Sequence, residues 1–102
     1  MIDEFSRTRM LLGEVGVDKL KNSKVLVFGV GGVGSHCIEA LARSGVGTLI
    51  LVDHDTVSLT NINRQVVALH STIGRQKTEV MRERILDIHP GAQVQALNTF
   101  VL

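Results

Sequence analysis

The sequence predicts an α/β fold, the N-terminal half of a doubly wound parallel sheet, and three observations predict it. A short apolar run ends at a cluster of glycines, a helical period follows at once, and a second apolar run ends in an acid, Asp53. Strand, helix and strand within ~30 residues make the right-handed unit from which parallel sheets are built.

Taken in order, residues 1–22 read as an N-terminal helical arm. Leu11, Leu12, Val15 and Leu20 are spaced for short helical turns packed beside the main fold, and Gly13 and Gly16 interrupt them. Residues 24–28, rich in β-branched side chains, predict a first strand buried on both faces. Ile38, Leu41 and Ala42 then recur at helical spacing until Ser44-Gly45 closes the helix. Residues 48–52 form a second strand. The polar stretch 54–71 lacks a clean period and reads as a functional loop with room for one helical turn. A helix over 73–89 follows, with Val80, Met81, Ile85 and Ile88 on its apolar face, and Pro90-Gly91 ends it. Arg82 and Arg84 belong to its charged face and are expected to pair with Glu79 or Asp87. Residues 93–102 predict a third strand. A doubly wound sheet has about five or six strands with helices on both faces. A chain ending after three is expected to be an incomplete domain with one face and one edge uncovered.

The first strand runs directly into Gly29-Val30-Gly31-Gly32-Val33-Gly34, which satisfies Gly-x-Gly-x-x-Gly with Gly32 as an extra glycine. Such a loop makes a tight turn, lets the backbone approach a phosphate, and packs the helix closely on the strand. The helix N-terminus presents free N–H groups to an anion. Asp53 ends the second strand 53 − 34 = 19 residues after the last glycine, where an acid binds ribose hydroxyls. Together these make the fold Rossmann-like and the ligand a nucleotide. Asp55, Asn61, Arg64 and Lys77 lie shortly downstream. Cations that neutralise phosphoryl oxygens, with an asparagine to position them, favour ATP over NAD. Lys77 alone reads equally well as a solvated lysine of a first helical turn or as an inward stem with its ammonium at a cleft.

Composition bounds the remainder. The 102 residues, 44% of them apolar, suffice for one modest core. Eleven basic residues against ten acidic ones give a net charge of +1, too even to announce nucleic-acid binding. No apolar run approaches the ~20 residues of a membrane span, and the lone Cys37 suggests a reducing compartment, so a cytoplasmic protein is expected. Cys37 itself is expected to be buried by packing. His36, His54, His70 and His89 lack metal-ligand spacing, and no metal is assigned to them.

The ordered segments Phe5-Ser6-Arg7, the glycine loop, Asp53-His54-Asp55, Thr60-Asn61-Ile62-Asn63-Arg64-Gln65 and Gly74-Arg75-Gln76-Lys77 resemble the adenylation domain shared by ubiquitin-activating enzymes and bacterial ThiF- and MoeB-like sulfur-carrier adenylyltransferases. The resemblance makes residues 23–102 the first part of an ATP-binding domain. It implies that Gly29, Gly31, Gly32 and Gly34 hold ATP, that Asp53 binds ribose, and that Asn61, Arg64 and Lys77 contact phosphates. Arg7 is implied to reach the phosphates of a neighbouring protomer, hence a homodimer, and Arg7, Arg64 and Lys77 to be the catalytic side chains. Mg2+ would accompany ATP, with its aspartate ligand beyond Leu102.

Segments 5–9, 40–47, 60–65 and 68–74 are more specifically similar to the tRNA threonylcarbamoyladenosine dehydratases. That family uses ATP to activate the threonylcarbamoyl carboxylate on a tRNA adenosine, after which the ring closes with loss of water. The alternatives are adenylation of a ubiquitin-like sulfur carrier, with sulfur-transfer proteins as partners, and a noncatalytic nucleotide-binding or dimerisation fragment.

Overall fold

The computed structural model describes residues 2–100. Helix α1 covers Ser6–Lys21, strand β1 Lys24–Phe28, helix α2 Gly32–Ser44 and strand β2 Thr48–Asp53; helix α3 covers Lys77–Ile88 and strand β3 Gln93–Asn98. Two 3-10 turns, Leu59–Asn61 and His70–Thr72, lie in the connection between β2 and α3. The sheet is parallel in the order β1-β2-β3, with Val27 opposite Leu51 and Leu51 opposite Ala96. Its carboxyl edge therefore brings together the ends of β1, β2 and β3.

The core lies between the sheet and the helices α2 and α3. Ile38 and Ala42 of α2, and Met81 and Ile85 of α3, meet Leu49 and Leu51 of β2, all fully buried. Burying each of the Ile, Leu and Met side chains among them stabilises the fold by about 1.5–3 kcal/mol. Gly45 ends α2 in the left-handed conformation at φ 96°, and its N–H reaches the Ala42 carbonyl.

Several expectations are corrected. Strand β1 is not buried on both faces: Leu26 is 49% and Phe28 59% exposed. Both crossover helices pack on one face of the sheet, so Leu26, Phe28 and Leu97 stand exposed on the other. Helix α3 starts at Lys77 rather than at 73, because Gly74 turns at φ 87° and Gln76 is extended and bridged to Thr56. Strand β3 ends at Asn98; Val101 and Leu102 of the expected strand lie outside the described residues. The connection between β2 and α3 holds two short turns, not one.

Helix α1 breaks where Gly13 adopts φ 74°, while Gly16 stays helical. Of its spaced apolar residues Leu20 packs against the core as expected, whereas Leu11, Leu12 and Val15 are exposed, as is Met10, and Val17 is buried. The arm is anchored at its two ends. The Gly47 amide donates to the Leu20 carbonyl, and the Phe5 ring meets His89 edge-on at 4.7 Å between centroids. Cys37 is exposed, contrary to expectation. The inward stripe of α2 runs through Ser35, Ile38 and Ala42, and Cys37 lies one position, about 100°, off that stripe. Arg82 pairs with Glu79 at 3.1 Å, whereas Arg84 reaches across to Glu39 of α2 rather than to Asp87.

Candidate nucleotide site

The loop after β1 is built by backbone constraints. Gly29 has φ 90°, a conformation that side chains resist, and its amide continues the ladder to the Val52 carbonyl at 2.8 Å. A Cβ on Gly34 would lie 1.8 Å from the Gly29 carbonyl oxygen, so helix and strand approach too closely for any side chain. Gly31 caps α2 without a side-chain hydrogen bond. The amides of Gly32, Val33 and Gly34 accordingly have no carbonyl one turn earlier in the helix and stand at the N-terminus of α2 as donors.

Asp53 organises this edge. Its Oδ2 accepts the Val30 amide at 2.6 Å and its Oδ1 accepts the Asp55 amide at 2.8 Å. Burial raises its carboxyl pKa, but the backbone donors at Val30, Asp55 and His54, with the Lys77 charge, outweigh that and hold it below its ordinary value. An ionised carboxylate has about four lone-pair positions, so Asp53 can accept further donors beside these amides.

Lys77 is the first residue of α3. Its stem is buried, with 6% of the residue exposed, and its amide donates to the Asp55 carbonyl at 3.1 Å. The ammonium lies 3.9 Å from Asp55 Oδ2, and thus at the same sheet end as the glycine loop. Asn61 is buried and its Oδ1 accepts the Ser58 amide at 2.9 Å, so the side chain caps its own turn. Arg64 is folded onto its loop, donating through Nη1 to the Thr60 carbonyl and to Asn63 Oδ1. Its carbonyl accepts a hydrogen bond from His36 Nε2 of α2 at 3.2 Å, which holds the loop beside the glycines. Arg7 is exposed on the arm.

The structure thus gathers the glycines, Asp53, Asp55 and Lys77 at one edge and sets the Arg64 backbone next to them. Arg64 lines an open hollow with Gly32, Val33, His36 and Cys37 at the start of α2, while its guanidinium is bonded to its own loop. Residue types alone gave no sign of the Val30 amide, of the His36 latch, or of the burial of Gln65 against Gly31. The first is a backbone group, and the other two depend on how the loop folds back.

Polar atoms of Asp53, His54 and Asp55 lie within 4.8 Å of one another. They do not make a magnesium site by themselves. The His54 imidazole, 3.2 Å from Asp55 and stacked on Phe100, is a nitrogen donor where magnesium prefers oxygens, which leaves two carboxylates.

Residues 5–101 match the ThiF family. The chain is 54% identical over 100 residues to the tRNA threonylcarbamoyladenosine dehydratase of Bacillus subtilis, covering 98% of this chain and 39% of that protein. It is 39% identical over 92 residues to the sulfur carrier protein ThiS adenylyltransferase of Escherichia coli, covering 87% of this chain and 37% of that one. The crystal structure of E. coli tRNA N6-threonylcarbamoyladenosine dehydratase, TcdA, in complex with ATP superposes with a TM-score of 0.94 at 44% identity, over 96% of this chain and 40% of that chain. The chain therefore spans about two fifths of the length of these relatives. A strand feeding a glycine turn, an acid closing the next strand, and a match along nearly the whole sequence make this chain a member of the ThiF family.

Proposed function

We propose that this chain is the nucleotide-binding part of an ATP-dependent tRNA threonylcarbamoyladenosine dehydratase, a cytoplasmic enzyme. The observation that carries ATP binding is the Asp53 carboxylate closed on the Val30 amide, which fixes the ribose acid against the glycine loop with the Lys77 ammonium at the same sheet edge, 3.9 Å from Asp55. The choice of substrate rests on the 54% identity to the B. subtilis dehydratase.

In this reading the loop amides and Lys77 take the phosphates, and Asp53 takes the ribose. The threonylcarbamoyl carboxylate attacks the α-phosphorus, pyrophosphate leaves, and ring closure then expels AMP. The protein's part is to align carboxylate and phosphorus and to stabilise the charge that develops on the phosphoryl oxygens. Arg64 joins by turning its guanidinium off the Thr60 carbonyl. Arg7 acts across a homodimer, a role supported by the exposed Met10, Leu11 and Val15 on the arm that carries it. Mg2+ would accompany the triphosphate, held by a carboxylate other than those described.

The test incubates the purified protein with ATP, magnesium and tRNA bearing threonylcarbamoyladenosine, then analyses the nucleosides by mass spectrometry. ATP-dependent loss of one water from the modified nucleoside supports the proposal. An unchanged nucleoside, with pyrophosphate released only on adding a small sulfur-carrier protein, would move the assignment to carrier adenylation, the reading supported by the 39% identity to the ThiS adenylyltransferase.

A further inference from the structure

Gln65 follows Arg64, is only 9% exposed, and has a buried Oε1 without a hydrogen-bond partner. Its Nε2 lies against the N-cap of α2, 3.5 Å from where a Cβ on Gly31 would stand. The backbone around it is tied on every side. The Gln65 amide donates to the Asn61 carbonyl at 2.9 Å, the Ala68 amide donates to the Gln65 carbonyl at 3.0 Å, and the Val66 amide donates to Ser35 Oγ at 3.3 Å. Ser35 is fully buried in the first turn of α2, so this frame joins the Asn61–Arg64 segment to the glycine loop.

A buried acceptor with no donor costs free energy, and an apolar side chain of the same length would fill the space without that cost. Resting on the ATP reading above, we propose that Gln65 is a positioning residue for the triphosphate. Its carboxamide backs the Gly31 turn so that the first amides of α2 stay aimed at the phosphates, and it keeps the Arg64 segment in register with them. The side chain serves the nucleotide-bound arrangement at the expense of the fold.

That trade separates the proposal from a packing role. Gln65→Met keeps length and removes the unpartnered oxygen. We expect its thermal midpoint to equal or exceed the wild-type value while ATP affinity by calorimetry falls about tenfold and adenosine affinity, which involves no phosphate, stays unchanged. Gln65→Glu keeps the shape and adds a negative charge beside the phosphates; it is expected to lose more ATP affinity than the methionine variant, again sparing adenosine. Wild-type ATP affinity in Gln65→Met, or equal losses for ATP and adenosine with a lowered midpoint, overturns the inference and leaves ATP binding standing. Failure of both variants to fold assigns Gln65 to the core and also overturns it. A wild-type protein that binds adenosine but not ATP removes the ATP reading itself, and this inference with it.

Discussion

Asp53 Oδ2 accepts the amide of Val30 across the end of the sheet at 2.6 Å, so the acid that closes β2 also pins the turn that follows β1. One carboxylate thereby ties the end of β2 to the glycine loop. The bond depends on ionisation, and its loss would release both.

The pH dependence follows from the same contact. The Asp53 pKa is depressed below the 3.8 of an unperturbed carboxyl, since its amide donors and Lys77 outweigh burial. A depressed carboxyl contributes stability that is fully present above its unfolded pKa and is lost as pH falls from there through the folded value. Asp53→Asn turns an NH2 toward one of two amides that need an acceptor, which costs about 1–3 kcal/mol. Denaturant melts should show wild type losing stability below pH 3.8 and a smaller loss in the asparagine variant, already weakened at neutral pH. Parallel curves for the two proteins would assign the acid sensitivity to other carboxylates.

Glycines of the loop should separate into two kinds. A methyl group on Gly34 meets the Gly29 carbonyl oxygen at 1.8 Å, a backbone atom that cannot step aside cheaply, whereas one on Gly32 meets nothing within 4 Å. Gly34→Ala is expected to destabilise the fold by about 1–3 kcal/mol or more. Gly32→Ala should melt like wild type yet bind ATP more weakly, because its methyl group projects where backbone must approach phosphate. Thermal melts beside calorimetric ATP titrations check both, and a Gly34→Ala protein of unchanged midpoint would contradict the packing described.

Local chemistry made the strand, the glycine turn, α2 and Asp53 legible in sequence, because each is dictated by neighbours a few residues away. What escaped depends on contacts over longer separations. Strand β1 reads as doubly buried from its composition, but Phe28 lies on the face that α2 and α3 do not cover, the uncovered face expected of an incomplete domain. Cys37 follows the helical period only approximately, and one position off the stripe is enough to put it in solvent. The β2–α3 connection resisted reading because its order comes from side-chain caps, such as Asn61 on Ser58 and Thr72 on Leu69, and from latches to α2 by His36 and Ser35. The roles of Arg7, Asn61, Arg64 and Lys77 toward phosphate stand as proposals for mutagenesis.

The Arg84–Glu39 pair joins α3 to α2 at a distance from the loop, and the hydrogen bond from Arg84 holds the Glu39 carboxyl below its ordinary pKa. Arg84 is partly in water, which screens the pair. Glu39→Gln should therefore cost no more than about 1 kcal/mol, leave ATP affinity unchanged, and lose that difference from wild type in high salt. A stability loss that persists at high salt would point to packing rather than charge.

Lys77 offers the sharpest test of the phosphate assignment. Its ammonium is brought to the sheet edge on a buried stem that starts α3, within 3.9 Å of Asp55, and its charge acts on Asp53 as well. Lys77→Met keeps the apolar stem and removes the charge. Losing one charge-assisted contact of about 1.5–3 kcal/mol predicts an ATP affinity roughly 10- to 150-fold weaker, with adenosine affinity retained and the melting midpoint little changed. Lys77→Arg should not restore binding, because a planar guanidinium does not fit where a compact ammonium sits at the end of a buried stem. Equal ATP affinity in Lys77→Met and wild type would show that the lysine serves the Asp53 and Asp55 carboxylates alone, and the phosphates would then rest on the loop amides and Arg64.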